Sequence, residues 1–151
     1  MSESAIRRLI DPMRRRLRLL VSRAVGRLVD PSTLLQTLQL ELLRGELLDG
    51  VEHVEGYGLT AHPPAGFEAI SASLGGDRGH TVCLSAFHRR FRLQNLAPGE
   101  VALYTDEDQN GGHRIRFKRG QEIHLVAGAS SIVMTPAGIT ITAPTIDIVK
   151  G

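Results

Sequence analysis

The sequence predicts a mainly β protein: one N-terminal amphipathic helix, a small five-stranded barrel, and a narrow C-terminal β stem that a single chain cannot complete. Two observations carry this expectation. The spacing of apolar residues changes from three and four over the first 28 positions, to two through the middle, and then to short i, i+2 pairs separated by Gly- and Pro-containing turns. The chain also holds 16 Gly but only four Phe, two Tyr and no Trp, which suits many short strands around a thin or shared core.

In the first segment Ile6, Leu9, Ile10, Met13, Leu17, Leu20, Val21, Ala24 and Leu28 form an apolar stripe, and arginines fill the opposite face. Asp11 and Pro12 read as an N-cap and a first-turn proline, so a helix is expected from there to Arg23 or beyond, within a segment spanning residues 1–24. Residues 1–28 carry eight arginines against Glu3 and Asp11, a net charge of +6, whereas the remainder carries −4. The basic character therefore belongs to the leading segment alone. Its arginines Arg7, Arg8, Arg14, Arg15, Arg16, Arg18 and Arg23 are candidates for docking a protein partner, because polyarginine without aromatics is weak evidence for base contacts.

Residues 25–97 are expected to form the barrel. Strands are expected over Val25–Val29, Leu47–Val54, Phe67–Leu74 and Thr81–Phe87, with turns at His62–Gly66 and Gly75–Gly79. Leu34, Leu35, Leu38, Leu40 and Leu42 suit either a helix or a strand, and periodicity does not choose between them. With that segment extended the count reaches five, the number of a small Greek-key barrel such as the OB-fold.

After Pro98–Gly99, Val101 and Leu103 precede the polar turn Asp106–Gly112, and Ile115 and Phe117 follow it, which reads as a hairpin or neck over 98–122. The stem, 123–151, repeats the pair: Ile123 and Leu125, Ile132 and Met134, Ile139 and Ile141, Ile146 and Ile148. Thr, Ser, Pro and Gly between these pairs disfavour a coiled coil, and the pattern is that of a β-solenoid. One copy would leave the isoleucines and strand edges bare. Three copies around one axis would bury both, so a homotrimer is expected, with these eight side chains as its stem core.

The ordered stretches Val25-Gly26-Arg27-Leu28-Val29-Asp30, Gln36 to Glu46, Gly56-Tyr57-Gly58-Leu59-Thr60, Leu74 to His80 and Pro98 to Tyr104 resemble the phage Mu-type baseplate spike proteins, the baseplate assembly protein V family. The resemblance runs along nearly the whole chain. It implies a homotrimer with one OB-fold barrel per chain and an intertwined triple-stranded β-helix stem, and it reads the leucine segment as strand. It also implies a virion protein at the centre of a contractile tail, plugging the tail tube and driven into the host outer membrane when the sheath contracts. The partners it implies are a baseplate hub protein and inner tube components.

Members of that family commonly end in an apex where His-x-His motifs hold iron. No His-x-His occurs here: His53, His62, His80, His88, His113 and His124 are scattered, and no metal or other cofactor is expected. Because the sequence reaches Gly151 soon after Ile148, a separate spike-tip protein is expected to continue the stem.

Composition excludes several other classes. Hydrophobic residues make up 42% and charged residues 23% of the chain, values of a folded protein. Arginines interrupt the leading apolar stripe and no small-residue cleavage site follows, so no secretory signal is expected and the chain should assemble in the cytoplasm that makes it. Leu125–Ile146 lacks charge, yet Pro136, Pro144, Gly128 and Gly138 argue against a membrane helix. Cys83, in an apolar run, reads as an inert buried thiol. Asp106, Glu107, Asp108 and His113 are the best cluster for catalysis, but they fall in a turn where charge serves solvation, so no enzyme is expected. The alternative is an OB-fold nucleic-acid-binding protein with a basic arm, which few aromatics and an acidic barrel disfavour.

Overall fold

A computed structural model describes residues 10, 11, 13, 20–42 and 45–149. The chain forms two compact units, one ending at Arg89 and the other beginning at Arg90.

The first unit is a closed barrel of β1 (Val21–Asp30), β2 (Thr37–Glu41), β3 (Leu47–His53), β4 (Glu68–Ser73) and β5 (Thr81–Phe87), in the order β1-β2-β3-β5-β4. All neighbours are antiparallel except β3 and β5, whose parallel contact at Glu52–Val82 and His53–Cys83 closes the ring and removes the sheet edges. The leucine segment is thus strand: Leu38 and Leu40 point into the core, and Thr37, Gln39 and Glu41 point out. Because side chains alternate strictly, a strand that must stay apolar inside needs its parity protected. In β1 the inward set is Ala24, Gly26 and then Val29, and a bulge between Gly26 and Leu28 makes the change of parity possible.

The expected helix end needs correction. Val21 and Arg23, placed in the helix from sequence, belong to β1, where Val21–Val25 pair with Ala72–Glu68 of β4. Val21, Ala24 and Leu28 share a helical stripe by spacing, but in the strand Val21 and Leu28 are exposed and only Ala24 points inward. The β4 ladder decides between helix and strand, because a helix there would leave one side of β4 without backbone partners. Of the other helix positions, Ile10, Asp11 and Met13 are helical, Leu20 is a bend, and the rest lie outside the described residues.

The barrel core is small, as the shortage of aromatics implied. It consists of Ala24, Val29, Leu38, Leu40, Leu42, Val51, Phe67, Ala69 and Cys83, with Phe67 its largest member and fully buried.

The second unit is one five-stranded sheet of β6 (Val101–Tyr104), β7 (His113–Lys118), β8 (Glu122–Ala127), β9 (Ser130–Thr135) and β10 (Gly138–Thr142). Its spatial order is its sequence order, each strand antiparallel to the next. The hairpin around Asp106–Gly112 is present, with a 3₁₀ turn at Asp106–Asn110. The strands expected in a neck and those expected in a stem hydrogen-bond into this single sheet. The uncharged stretch after Leu125 contributes to β8, β9 and β10, and no described helix is long and apolar enough to cross a membrane.

Candidate functional site

The most distinctive surface lies on the sheet β6–β10. Directly paired residues share a face, as do residues two apart on one strand. The register therefore aligns Val101, Phe117, Ile123, Met134 and Ile139 in one row across all five strands. Leu103, Ile115, Leu125, Ile132 and Ile141 form a second row beside it. Ten apolar side chains thus occupy one face, and it stays open among the described residues: Val101 is 59% exposed, Phe117 47% and Ile139 67%. An exposed apolar face of this kind marks an interaction surface.

Six of the eight expected stem residues sit on this face. Ile146 and Ile148 follow β10, lie in no strand, and are 57% and 93% exposed. Val101, Leu103, Ile115 and Phe117 complete the rows. Sequence reading had placed them in a separate hairpin, although their i, i+2 spacing is the same signal.

The reverse face carries charge. Arg114 and Arg116 from β7 are 30% and 24% exposed and pair with Asp108 and Glu100; Lys118 and His124 both approach Glu122. Of the cluster weighed for catalysis, Asp108 and His113 shape the turn. One Asp108 carboxylate oxygen accepts the His113 N–H at 2.8 Å and the other accepts Arg114 at 3.0 Å, while the His113 ring meets Thr105 Oγ1 at 2.7 Å. The Gly75–Gly79 loop joins β4 to β5, with Asp77 bonded to the Gly79 N–H and Arg78 paired with Glu46. Carboxylates occupy the positions a phosphate would need.

Among the described residues no three His, Cys, Asp or Glu side chains are placed to hold a metal ion. Cys83 is buried, and its burial pushes the thiol pKa up. Arg7, Arg8, Arg14, Arg15, Arg16 and Arg18 lie outside the described residues; Arg23, on β1, has a side chain 62% exposed and 3.9 Å from Glu68.

A family model described as "Bacteriophage Mu Gp45, N-terminal" matches residues 23–90, nearly the span of the barrel. The "Baseplate puncturing device gp45" of Escherichia phage Mu is 34% identical over 142 residues, an alignment covering 89% of this chain and 70% of the relative. The chain belongs to the bacteriophage Mu Gp45 family. A second member, the "Mu-like prophage FluMu protein gp45" of Haemophilus influenzae, is 41% identical over 121 residues, covering 80% of this chain and 64% of that protein. This Gp45-family chain thus spans about two thirds of the length of these relatives.

At the start of the sheet of this Gp45-family chain, Glu100 holds three segments together. Its carboxylate accepts bonds from the Arg116 guanidinium, from the Ala97 N–H at 3.0 Å and from the Arg119 N–H at 3.4 Å. These bonds, that from Arg116 foremost, hold the Glu100 carboxyl down at about 2. Because the folded value lies below the unfolded one, the stabilisation is present in full above the ordinary carboxylate range and is lost as pH falls from about 4.5 toward 2. Glu100→Gln is expected to flatten the acid limb of the stability profile across that window, read by circular dichroism against pH. An unchanged acid limb would show that this pairing does not couple to folding.

Proposed function

We propose that this protein is the central spike of a contractile-tail baseplate: a structural, non-enzymatic homotrimer located in the virion tail that plugs the tube and pierces the host outer membrane. The observation that carries this reading is the uncovered pair of apolar rows on β6–β10. Three copies turning these rows toward a shared axis would bury them and leave the Arg, Lys and Glu of the reverse face in water, as a triple-stranded stem requires. Membership in a family whose phage Mu member is called a baseplate puncturing device supports the location and the mechanical role. The closed five-stranded barrel with its parallel β3–β5 contact supports reading the first unit as an OB-fold.

Rigid transmission of force is the whole mechanism. A stem with its apolar faces inward resists bending, because bending would expose aliphatic surface at about 25 cal/mol per Å². The arginine-rich leading segment docks the trimer to the hub protein at the end of the tube, its apolar stripe packing while its arginines meet acidic surface. Outside that segment the chain is acidic, which argues against a nucleic-acid partner.

Reconstruction of purified particles tests this reading. Wild-type particles are expected to show three copies on the tail axis below the tube. A chain lacking residues 1–19, a deletion that stops short of β1, is expected to remain trimeric in solution but to occupy that position far less often. Density showing the apolar faces outward, or full occupancy by the truncated chain, would overturn the stem or the docking role respectively.

A further inference from the structure

A second apolar surface, on the barrel, is not absorbed by that reading. Asp30 pairs with Thr37 and Thr37 with Glu52, so the end of β1, the start of β2 and the end of β3 meet at one end of the barrel. The loops leaving that end, residues 31–36 and 54–66, are fastened together. The buried Gln36 amide donates to Ala61 O at 2.9 Å and meets His53 Nδ1 at 3.2 Å, and Gln36 O accepts the His53 N–H at 2.8 Å.

Glu55 shapes the tip of the longer loop. Its carboxylate accepts the Thr60 hydroxyl at 2.9 Å and the Ala61 N–H at 2.8 Å, while the Leu59 N–H closes onto Gly56 O at 3.0 Å. Between these bonds stand Tyr57 and Leu59. The turn needs Gly58, whose φ is +82°. A preformed turn that holds Tyr57 wholly outside, with Leu34 equally bare on the neighbouring loop, does not bury its own apolar residues. Leu35, Val54 and Leu59 add to the patch, each more than half exposed.

Within the two loops and the strand ends that carry them, the formal charge has one sign. Residues 28–36 and 47–66 contain Asp30, Asp49, Glu52 and Glu55 and no Lys or Arg. Ser32 donates its hydroxyl and its N–H to Asp30, which lowers that carboxyl below its ordinary range.

We infer that the barrel end formed by residues 31–36 and 54–66 is a docking surface for a neighbouring tail protein, one that presents lysine or arginine beside aliphatic side chains. Tyr57 supplies a rigid amphipathic anchor of the kind that dominates interface energetics, and the carboxylates select a basic partner. The inference rests on the baseplate reading but concerns a surface distinct from the stem.

The test places a benzophenone-bearing phenylalanine at position 57 of the full chain and irradiates purified particles. Circular dichroism melting should be unchanged, since Tyr57 contributes nothing to the core. The expected result is one principal adduct, to a different tail protein, on a peptide with Lys or Arg flanked by aliphatic residues. Introducing Asp30→Lys and Glu52→Lys should cut its yield about tenfold while the chain is still incorporated. Adducts confined to copies of this chain, an adduct indifferent to the charge reversals, or no adduct in particles that contain the chain would overturn the inference and leave the spike reading intact. Absence of the chain from the particles would overturn both.

Discussion

Replacing Leu125 and Ile132 together by aspartate is expected to turn the trimer into monomers. These two residues face each other across β8 and β9 in the middle of the second apolar row. Full burial of an aliphatic side chain contributes about 1.5–3 kcal/mol; Ile132 is 36% exposed in the single chain, so completing burial at six such positions contributes roughly 3–5 kcal/mol, to which six carboxylates add several more for their desolvation. An association equilibrium cannot absorb a loss of that size at micromolar concentration. Light scattering of the full-length protein reads the outcome directly. Thr140→Asp, on the reverse face of β10, adds the same charge and should leave the trimer whole. A wild-type chain that runs as a folded, monodisperse monomer, or a trimer that survives the double substitution, would end the proposal.

The second large effect belongs to the barrel. A Cβ at Gly26 would fall 1.9 Å from Cζ and 2.0 Å from Cε1 of Phe67, far inside any tolerable contact. Neither side can retreat easily. Gly26 donates its N–H to Phe67 O at 2.7 Å and accepts the Gly66 N–H at 2.9 Å, and Phe67 is fully buried. Gly26→Ala must therefore push the ring out of the centre of a small core, at a cost of roughly 3 kcal/mol. For a domain of this size that corresponds to a fall in melting temperature of roughly 15 °C. Phe67→Ala should cost about 3–5 kcal/mol through the cavity it leaves. Gly26→Ala combined with Phe67→Leu should recover part of the loss, because the smaller side chain vacates the space the new methyl needs. A Gly26→Ala melt within about 2 °C of wild type would mean the ring has another place to go.

Much of this architecture could be read from spacing. The pairs Ile123/Leu125, Ile132/Met134 and Ile139/Ile141 determined both that these segments are strands and which side chains share a face, because a period of two admits one assignment. Glycine and proline at Gly128 and Pro136 marked where the strands turn. The stretches from Leu47, Phe67 and Thr81 were recognisable as strands within one residue at either end. The arginine asymmetry was equally local, since it depends on which residues occur and in what order.

Only the tertiary structure decided the remaining features. Leu34 to Leu42 satisfied both periods, and the pairing of β2 between β1 and β3 chose the strand. Val21 to Arg23 continued a helical stripe, and the ladder to β4 took them into β1. The extension of the apolar rows to Val101, Leu103, Ile115 and Phe117 depended on the register between β7 and β8, which no single segment encodes. The fastening of the Leu34 loop to the loop that carries Tyr57 depended on Gln36 reaching Ala61 across 25 positions of chain. Periodicity reports the environment along one segment, whereas register, bulges and loop contacts are set by which backbone groups find partners on another. That is why the identity of the strands was legible in the sequence, while the surfaces they build together became visible only in the fold.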